Sequence, residues 1–209
     1  MTTTDILEIT ENRTPYTDIA EVESEFYKLG KKKYRKGFYR MEKVLGYEFF
    51  EVKKPITVTQ LYYRNNPKNK WHSLMVDDPL HWLGMEDLAN KCKGKVLVGG
   101  LGMGLVLHHL VNNRLVDEIE VIEIDPQLVE FIKPYLPEAK KRFNILAADY
   151  FHYILRTNSR YDSAIIDLWV LGDDSTKSDR EHVARSMGVS RALTLNISDK
   201  VWVWGVRGE

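Results

Sequence analysis

A run of glycines and a carboxylate nineteen residues further along are the features of this sequence best suited to binding a ligand. The run GGLGMG (99–104) follows the apolar segment KVLV and precedes a helix-like segment, LVLHHLVNN. Glycine lets the chain turn sharply and lets a ligand approach the main chain. The strand-like segment EIEVIEID places Glu123 near the end of the next strand, where a carboxylate can accept hydrogen bonds from ribose hydroxyls. These features predict a nucleoside site in a strand–turn–helix–strand unit.

The spacing of the glycines separates this turn from two better-known phosphate-binding turns. A P-loop ends in Gly-Lys-Ser/Thr, whereas Leu105 and Val106 follow Gly104 here. A dinucleotide site has the pattern G-x-G-x-x-G, but its third glycine position is Leu105. The pattern present is G-x-G-x-G, and a tight structural turn beside a surface acid is the alternative that spacing alone leaves open.

The segments VLVGGLGMGLVLHHL (96–110) and EIEVIEIDPQLVEFIKPYLP (118–137) resemble class I S-adenosylmethionine-dependent methyltransferases, and most closely the spermidine synthase-like branch of that superfamily. The resemblance extends over roughly residues 95–170, with a weaker echo upstream. It implies S-adenosylmethionine as the cofactor. It also implies a Rossmann-like class I methyltransferase fold.

The resemblance assigns roles to several residues of this chain. It implies that Gly100, Gly102 and Gly104 hold the methionine part of the ligand and that Glu123 holds the ribose. Asp149, followed by Tyr150, occupies the place that meets the adenine amino group. An aspartate there also suits a helix N-cap, which is compatible with binding.

Asp167 is the predicted catalytic residue because it lies at the carboxyl end of the fourth strand-like segment, YDSAIIDLWV. The carboxyl ends of such strands face the ligand crevice, and a carboxylate can accept the proton of an attacking amine. In spermidine synthases an aspartate at the matching place does so within a D-x-x-D-P motif, but this chain reads Asp167-Leu168-Trp169-Val170-Leu171. The family's acidic residue inside the glycine turn is likewise replaced by Met103.

Three functions follow from these matches and departures. The leading one is methyl transfer from S-adenosylmethionine to an unidentified acceptor. The second is aminopropyl transfer of the spermidine synthase kind, which the missing acids disfavour. The third is a catalytically silent S-adenosylmethionine-binding or interaction protein.

Strands that alternate with helices must position these residues. Apolar segments on both sides of each turn indicate a mostly parallel, twisted sheet with flanking helices. We expect residues 91–209 to form this Rossmann-like domain, trimmed at its C-terminal end, after a small α/β N-terminal extension, 1–90, that contains a β-hairpin. Its hairpin strands are predicted at ITVTQLYY (56–63) and WHSLMV (71–76). A last helix is predicted over 181–194, after a loop at 172–180.

Two N-terminal features could also meet a ligand. Asp77 and Asp78 occupy the place of a family segment that precedes the core, and the resemblance implies a contact with the ligand from the N-terminal side. The basic segment 31–43, with aromatic residues interleaved, suits either a solvated face or RNA binding.

Composition limits the partners and the compartment. Thirty basic residues balance thirty acidic ones, so no overall field attracts nucleic acid or anionic lipid. A single cysteine, Cys92, excludes an internal disulfide. Without a signal-like start or a long apolar run, we expect a cytoplasmic protein that meets no membrane. A small-molecule acceptor is the expected partner, nucleic acid is the weaker one, no metal is expected, and a homodimer is compatible with the sequence.

Overall fold

The computed structural model describes residues 7–43, 46–138, 142–169 and 176–205. Before residue 79 the described chain is built from strands. They are β1 (Leu7–Ile9), β2 (Val22–Glu23), β3 (Tyr27–Tyr34), β4 (Gly37–Lys43), β5 (Gly46–Val52), β6 (Ile56–Tyr63) and β7 (His72–Val76).

From residue 79 onward helices and strands alternate, as the sequence predicts. The elements are α1 (Pro79–Lys91), β8 (Gly94–Gly99), α2 (Leu105–Leu110), β9 (Val116–Glu123), α3 (Pro126–Ile132), β10 (Arg142–Ala147), α4 (Tyr150–Arg156), β11 (Ser163–Ile166), α5 (Lys177–Thr194) and β12 (Val201–Val203). Helix α5 begins four residues earlier than predicted. The reason is local, because Thr176 and Asp179 form a reciprocal capping box at its start.

The central sheet is entirely parallel, with strand order β10-β9-β8-β11-β12. The chain moves outward from β8 to β9 and β10, and then returns to the other side of β8 as β11. Ligand crevices of such sheets lie at the carboxyl ends of the strands, where the order reverses. The Rossmann-like fold expected from the sequence is confirmed.

Buried side chains cover both faces of this sheet. One core cluster joins the sheet to α1, α2 and α3, and the other joins it to α4 and α5. The first cluster also contains Leu29 of β3 and Leu61 of β6, so the N-terminal strands pack against the Rossmann-like core. The proposed boundary near residue 90 stays a prediction.

The N-terminal strands form two sheets, with orders β1-β5-β4 and β2-β3-β6-β7. The predicted hairpin is present, since β6 and β7 pair antiparallel. The basic segment 31–43 forms the end of β3 and all of β4. Its first lysine forms hydrogen bonds within the protein. The Lys31 ammonium donates hydrogen bonds to the carbonyl oxygens of Tyr16 and Thr17 and to the Thr59 hydroxyl.

None of the helices in the described part of the chain combines the length and the apolar character required to cross a bilayer.

Candidate active site

A cavity of about 750 Å³ opens at the carboxyl ends of the parallel strands. Its wall contains most of the residues that the sequence singles out, namely Gly100, Gly102, Glu123, Asp149, Tyr150 and Asp167. Residues from β8, β9, β10 and β11 therefore meet where the fold predicts a ligand crevice.

Gly100 occupies the tightest point of the glycine turn. Its φ of +88° lies in the region that side chains avoid, and a Cβ there would overlap the carbonyl oxygen of Asp167. The turn is fixed further by two backbone hydrogen bonds, from Gly100 N–H to Ile122 at 2.9 Å and from Asp167 N–H to Gly99 at 2.7 Å. The turn thus ties β8, β9 and β11 together at the cavity floor.

Gly102 and Gly104 differ in their surroundings. Gly102 lines the cavity beside the Met75 thioether of β7, whose sulfur accepts a hydrogen bond from Met103 N–H at 3.0 Å. Gly104 is the N-cap of α2 and is absent from the cavity wall. The structure thus gives Gly104 a role in starting the helix, and its contact with the ligand stays a prediction.

Glu123 is largely buried and already binds the main chain with both carboxylate oxygens. Oε2 accepts the N–H of Leu101 at 2.8 Å, and Oε1 accepts the N–H of Asp125 at 3.0 Å. Each oxygen can accept a further hydrogen bond. The carboxylate is thereby held in place with acceptor capacity that a ribose could use.

Asp149 and Tyr150 begin α4. The Asp149 carboxylate caps the helix by accepting the N–H of His152 at 2.7 Å, and it also lines the cavity. The Tyr150 ring packs beneath Gly99, and its hydroxyl forms a hydrogen bond with Thr194 at 2.8 Å. The phenol group is therefore occupied within the protein, while other atoms of Tyr150 reach the cavity.

Asp167 lies just beyond β11, half-buried in the cavity wall. Burial raises the pKa of its carboxyl to about 6, the charge of His81 opposes this rise, and the carboxylate of Glu123 adds to it. No described residue donates a hydrogen bond to its carboxyl oxygens. A proton acceptor that works near neutral pH would have these properties. Trp169 and Phe151 belong to the same wall.

The N-terminal strands contribute a side of the cavity that sequence reasoning missed. Tyr27 of β3 donates a hydrogen bond from its hydroxyl to Asp125 Oδ2 at 2.5 Å, and burial raises the pKa of this phenol above its usual value. Tyr63, Arg64 and Met75 of the β6–β7 hairpin also line the cavity. No motif marks these residues, because strand pairing rather than spacing brings them to the site.

Asp77 and Asp78 do not line the described cavity, contrary to the predicted ligand contact. Asp77 is fully buried, where its carboxylate accepts hydrogen bonds from the Thr14 hydroxyl and from Thr59 N–H. Asp78 is the N-cap of α1. Asp77 instead joins the N-terminal segment to β6, and Asp78 begins the first helix.

Met103, which replaces the family's acid in the glycine turn, is part of the protein core. Met103 is fully buried, and its carbonyl oxygen accepts a hydrogen bond from the Tyr16 hydroxyl. The other departure, at Val170, lies outside the described residues.

Part of this chain matches a known protein family. The model described as the spermine/spermidine synthase domain matches residues 80–194. Polyamine aminopropyltransferase 2 of Hyperthermus butylicus is 30% identical over 87 residues, which cover 39% of this chain and 28% of that protein. The polyamine aminopropyltransferase of Saccharolobus solfataricus is 31% identical over 104 residues, 47% of this chain and 33% of that protein.

Among solved structures, spermidine synthase from Thermotoga maritima is 16% identical, with a TM-score of 0.39. The match covers 62% of this chain and 53% of the synthase chain. A putative RNA methyltransferase from Pyrococcus horikoshii is 23% identical, with coverages of 59% and 58% and a TM-score of 0.40. The chain spans about a third of the length of the curated relatives it matches.

Proposed function

We propose that this chain, which belongs to the spermine/spermidine synthase domain family, is a transferase that moves an alkyl group from an S-adenosyl sulfonium donor to an amine. The observation that carries the proposal is that Glu123, Asp149 and Asp167 line the same cavity as Gly100 and Gly102 of the glycine turn. Glu123 and Asp149 are placed to accept hydrogen bonds from a nucleoside, and Asp167 is placed to accept a proton from the acceptor.

The donor fits the described residues. Gly100 and Gly102 line the cavity with main chain alone, so the methionine-derived chain of the donor could approach the backbone there. Glu123 would accept the ribose hydroxyls, Asp149 would accept the adenine amino group, and Tyr150 would form part of the wall beside it. The donor would supply a carbon made electrophilic by the neighbouring sulfonium.

The chain's own contribution to the reaction is to orient the acceptor and to hold a proton. An amine is nucleophilic only when neutral, and Asp167 is the carboxylate placed to accept its proton. Trp169 and Phe151 line the same cavity, where an aromatic ring would exclude water and attract a cationic group. Positioning of this kind contributes much of the rate in group transfer.

Aminopropyl transfer to a polyamine is the first candidate, since the curated relatives bear the name polyamine aminopropyltransferase. Methyl transfer is the second, and a specific observation favours it. The position of the family's acid in the glycine turn is a buried methionine, Met103, so this turn offers no carboxylate to a primary amine on the donor.

The test is an assay of the nucleoside product. The protein is incubated with putrescine and either S-adenosylmethionine or its decarboxylated form, and the products are separated by chromatography. Putrescine-dependent methylthioadenosine from the decarboxylated donor supports aminopropyl transfer, while S-adenosylhomocysteine supports methyl transfer. Absence of calorimetric binding for both donors by the folded protein would overturn the proposal.

A matched variant separates binding from catalysis. Asp167→Asn should bind the donor with little change and lose the transfer reaction, because the amide cannot accept the proton. Binding of a donor by wild type without turnover on a panel of amines would instead point to the silent ligand-binding protein.

A further inference from the structure

Helix α1 presents one face to the end of β11. His81 and Met85 are four residues apart and lie on the same side of this helix. Met85 is almost fully buried, and together with Gly100 and Asp167 it lines a second, water-sized cavity of about 10 Å³. The side of α1 that carries Met85 therefore faces the carboxyl end of β11, and His81 lies one turn earlier on the same side.

His81 is held in place from both sides. Asp78, almost fully buried, accepts the backbone N–H of His81 at 3.0 Å, and its Oδ1 lies 3.4 Å from His81 Nδ1. On the other side the imidazole packs against the Trp204 ring at a centroid distance of 5.4 Å. Trp204 N–H in turn donates to the carbonyl oxygen of Ile166, the residue before Asp167, at 2.9 Å.

The charge of a protonated His81 would act on two carboxylates, those of Asp78 and Asp167. Burial pushes the pKa of Asp78 upward, but the hydrogen bonds and charge of His81 outweigh it, so the pKa lies below its usual value. The Tyr34 hydroxyl donates a hydrogen bond to the other carboxylate oxygen of Asp78, Oδ2, at 3.3 Å. The charge of His81 also acts on Asp167, where it opposes burial and the carboxylate of Glu123. His81 thus contacts Asp78 directly and, through Trp204, is linked to the residue that precedes Asp167.

We propose that His81 is a positioning residue for Asp167, in which an imidazolium held by Asp78 keeps the Asp167 carboxyl ionised for the acceptor amine. This inference rests on the proposed function insofar as Asp167 meets the acceptor. Without His81, Asp167 would face Glu123 and an apolar wall alone and would retain its proton at a higher pH.

The test uses the full chain without donor or acceptor, so it is independent of whether transfer occurs. The aspartate carboxyl carbons are labelled with ¹³C, and Asp167 is assigned from the signal that disappears in Asp167→Asn. In His81→Gln we expect the titration midpoint of Asp167 to rise by about one pH unit, because one nearby opposite charge is removed. The matched control is His152→Gln, since His152 also donates its backbone N–H to an N-cap aspartate but is exposed. This control should leave the midpoint in place.

A second variant tests the same inference in case His81→Gln does not fold. Asp78→Asn retains a good N-cap residue but loses the anion, so the midpoint of the His81 imidazole should fall and that of Asp167 should rise. Equal Asp167 midpoints in wild type, Asp78→Asn and His81→Gln would overturn the inference. Shifted midpoints in a protein without transfer activity would support it and count against the proposed function alone. In an active protein the acidic limb of the rate profile should move by the same amount as the midpoint.

Discussion

The Glu123 carboxylate accepts a hydrogen bond from the backbone N–H of Leu101 at 2.8 Å, so the acid that ends β9 also holds the glycine turn that follows β8. A residue assigned to the ribose thus stabilises the part of the site assigned to the methionine chain. The two halves of the nucleoside site are coupled through one side chain. A change at Glu123 should affect both.

The first prediction concerns Glu123→Gln. The amide keeps one oxygen acceptor but turns an N–H₂ group toward a backbone N–H, so one of the two charge-assisted hydrogen bonds is lost. We expect a loss of about 2 kcal/mol in the free energy of unfolding and a similar loss in affinity for S-adenosylmethionine, about thirtyfold. Urea unfolding and calorimetric titration measure the two effects.

Glu118→Gln is the control for this experiment, because Glu118 lies on the same strand but pairs with Lys95 and is partly exposed. It should change neither quantity by more than about 0.5 kcal/mol. Unchanged affinity in a stable Glu123→Gln protein would contradict the ribose assignment.

The second prediction concerns the pH dependence of transfer. Because the pKa of Asp167 is raised to about 6, the ionised base should be lost below that value, and the rate should fall about tenfold per pH unit. Asp167→Asn should remove this limb and lower the rate by about two to four orders of magnitude. Asp199→Asn, at an exposed site, should retain the limb. A wild-type profile that stays flat down to pH 5 would argue against Asp167 as the base.

Much of the Rossmann-like half could be predicted from the sequence because its signals are local. The glycines, the Asp125 cap and the short apolar strands each specify structure within a few residues. Glu123 and Asp149 follow from where parallel strands end. Whether they bind ligand stays a prediction, whereas their convergence on one cavity is a structural observation.

The N-terminal wall could not be predicted in this way because it depends on pairing between distant strands. Tyr27 reaches Asp125 across ninety-eight residues of sequence, and no spacing rule connects them. The place of Asp77 was misjudged for a related reason, since a carboxylate in a family-like segment gives no indication of whether it faces a ligand or the core. Burial decided the outcome, and burial is set by the whole fold.

The third prediction concerns stability and the buried Asp77. Burial raises its pKa to about 6, although hydrogen bonds from Thr14 and Thr59 and the charge of Lys31 oppose the rise. Between about pH 4 and 6 the folded form therefore holds a proton that the unfolded form has lost, so stability should decrease as the pH rises through this window. The shift corresponds to about 3 kcal/mol.

Asp77→Asn isolates this contribution, because an amide can still accept the Thr59 N–H but does not titrate. The difference in unfolding free energy between the two proteins should change by about 3 kcal/mol from pH 4 to pH 7, with the variant gaining relative to wild type. A constant difference across this window would show that Asp77 is ionised in the folded protein well below pH 6.

The fourth prediction compares three glycine-to-alanine substitutions. At Gly100 the positive φ and the overlap with the Asp167 carbonyl oxygen act together, and a backbone atom cannot move aside cheaply. We expect Gly100→Ala to cost at least about 2 kcal/mol and to abolish donor binding. At Gly102 the added carbon would approach the Met75 sulfur to 2.6 Å, and a flexible thioether can move. Gly102→Ala should therefore cost less, about 1–2 kcal/mol.

Gly188→Ala is the matched control, because Gly188 lies exposed within α5 and a Cβ there meets nothing within 4 Å. Alanine lowers the entropy cost of forming a helix, so this variant should gain about 0.5–1 kcal/mol and bind the donor as wild type does. Unfolding in urea and calorimetry with S-adenosylmethionine rank the three proteins. From most to least stable, we expect the variants in the order Gly188→Ala, Gly102→Ala, Gly100→Ala. Equal stability of the Gly100 and Gly102 variants would contradict this order, because it would show that the backbone at the β8–β11 junction moves as easily as a methionine side chain.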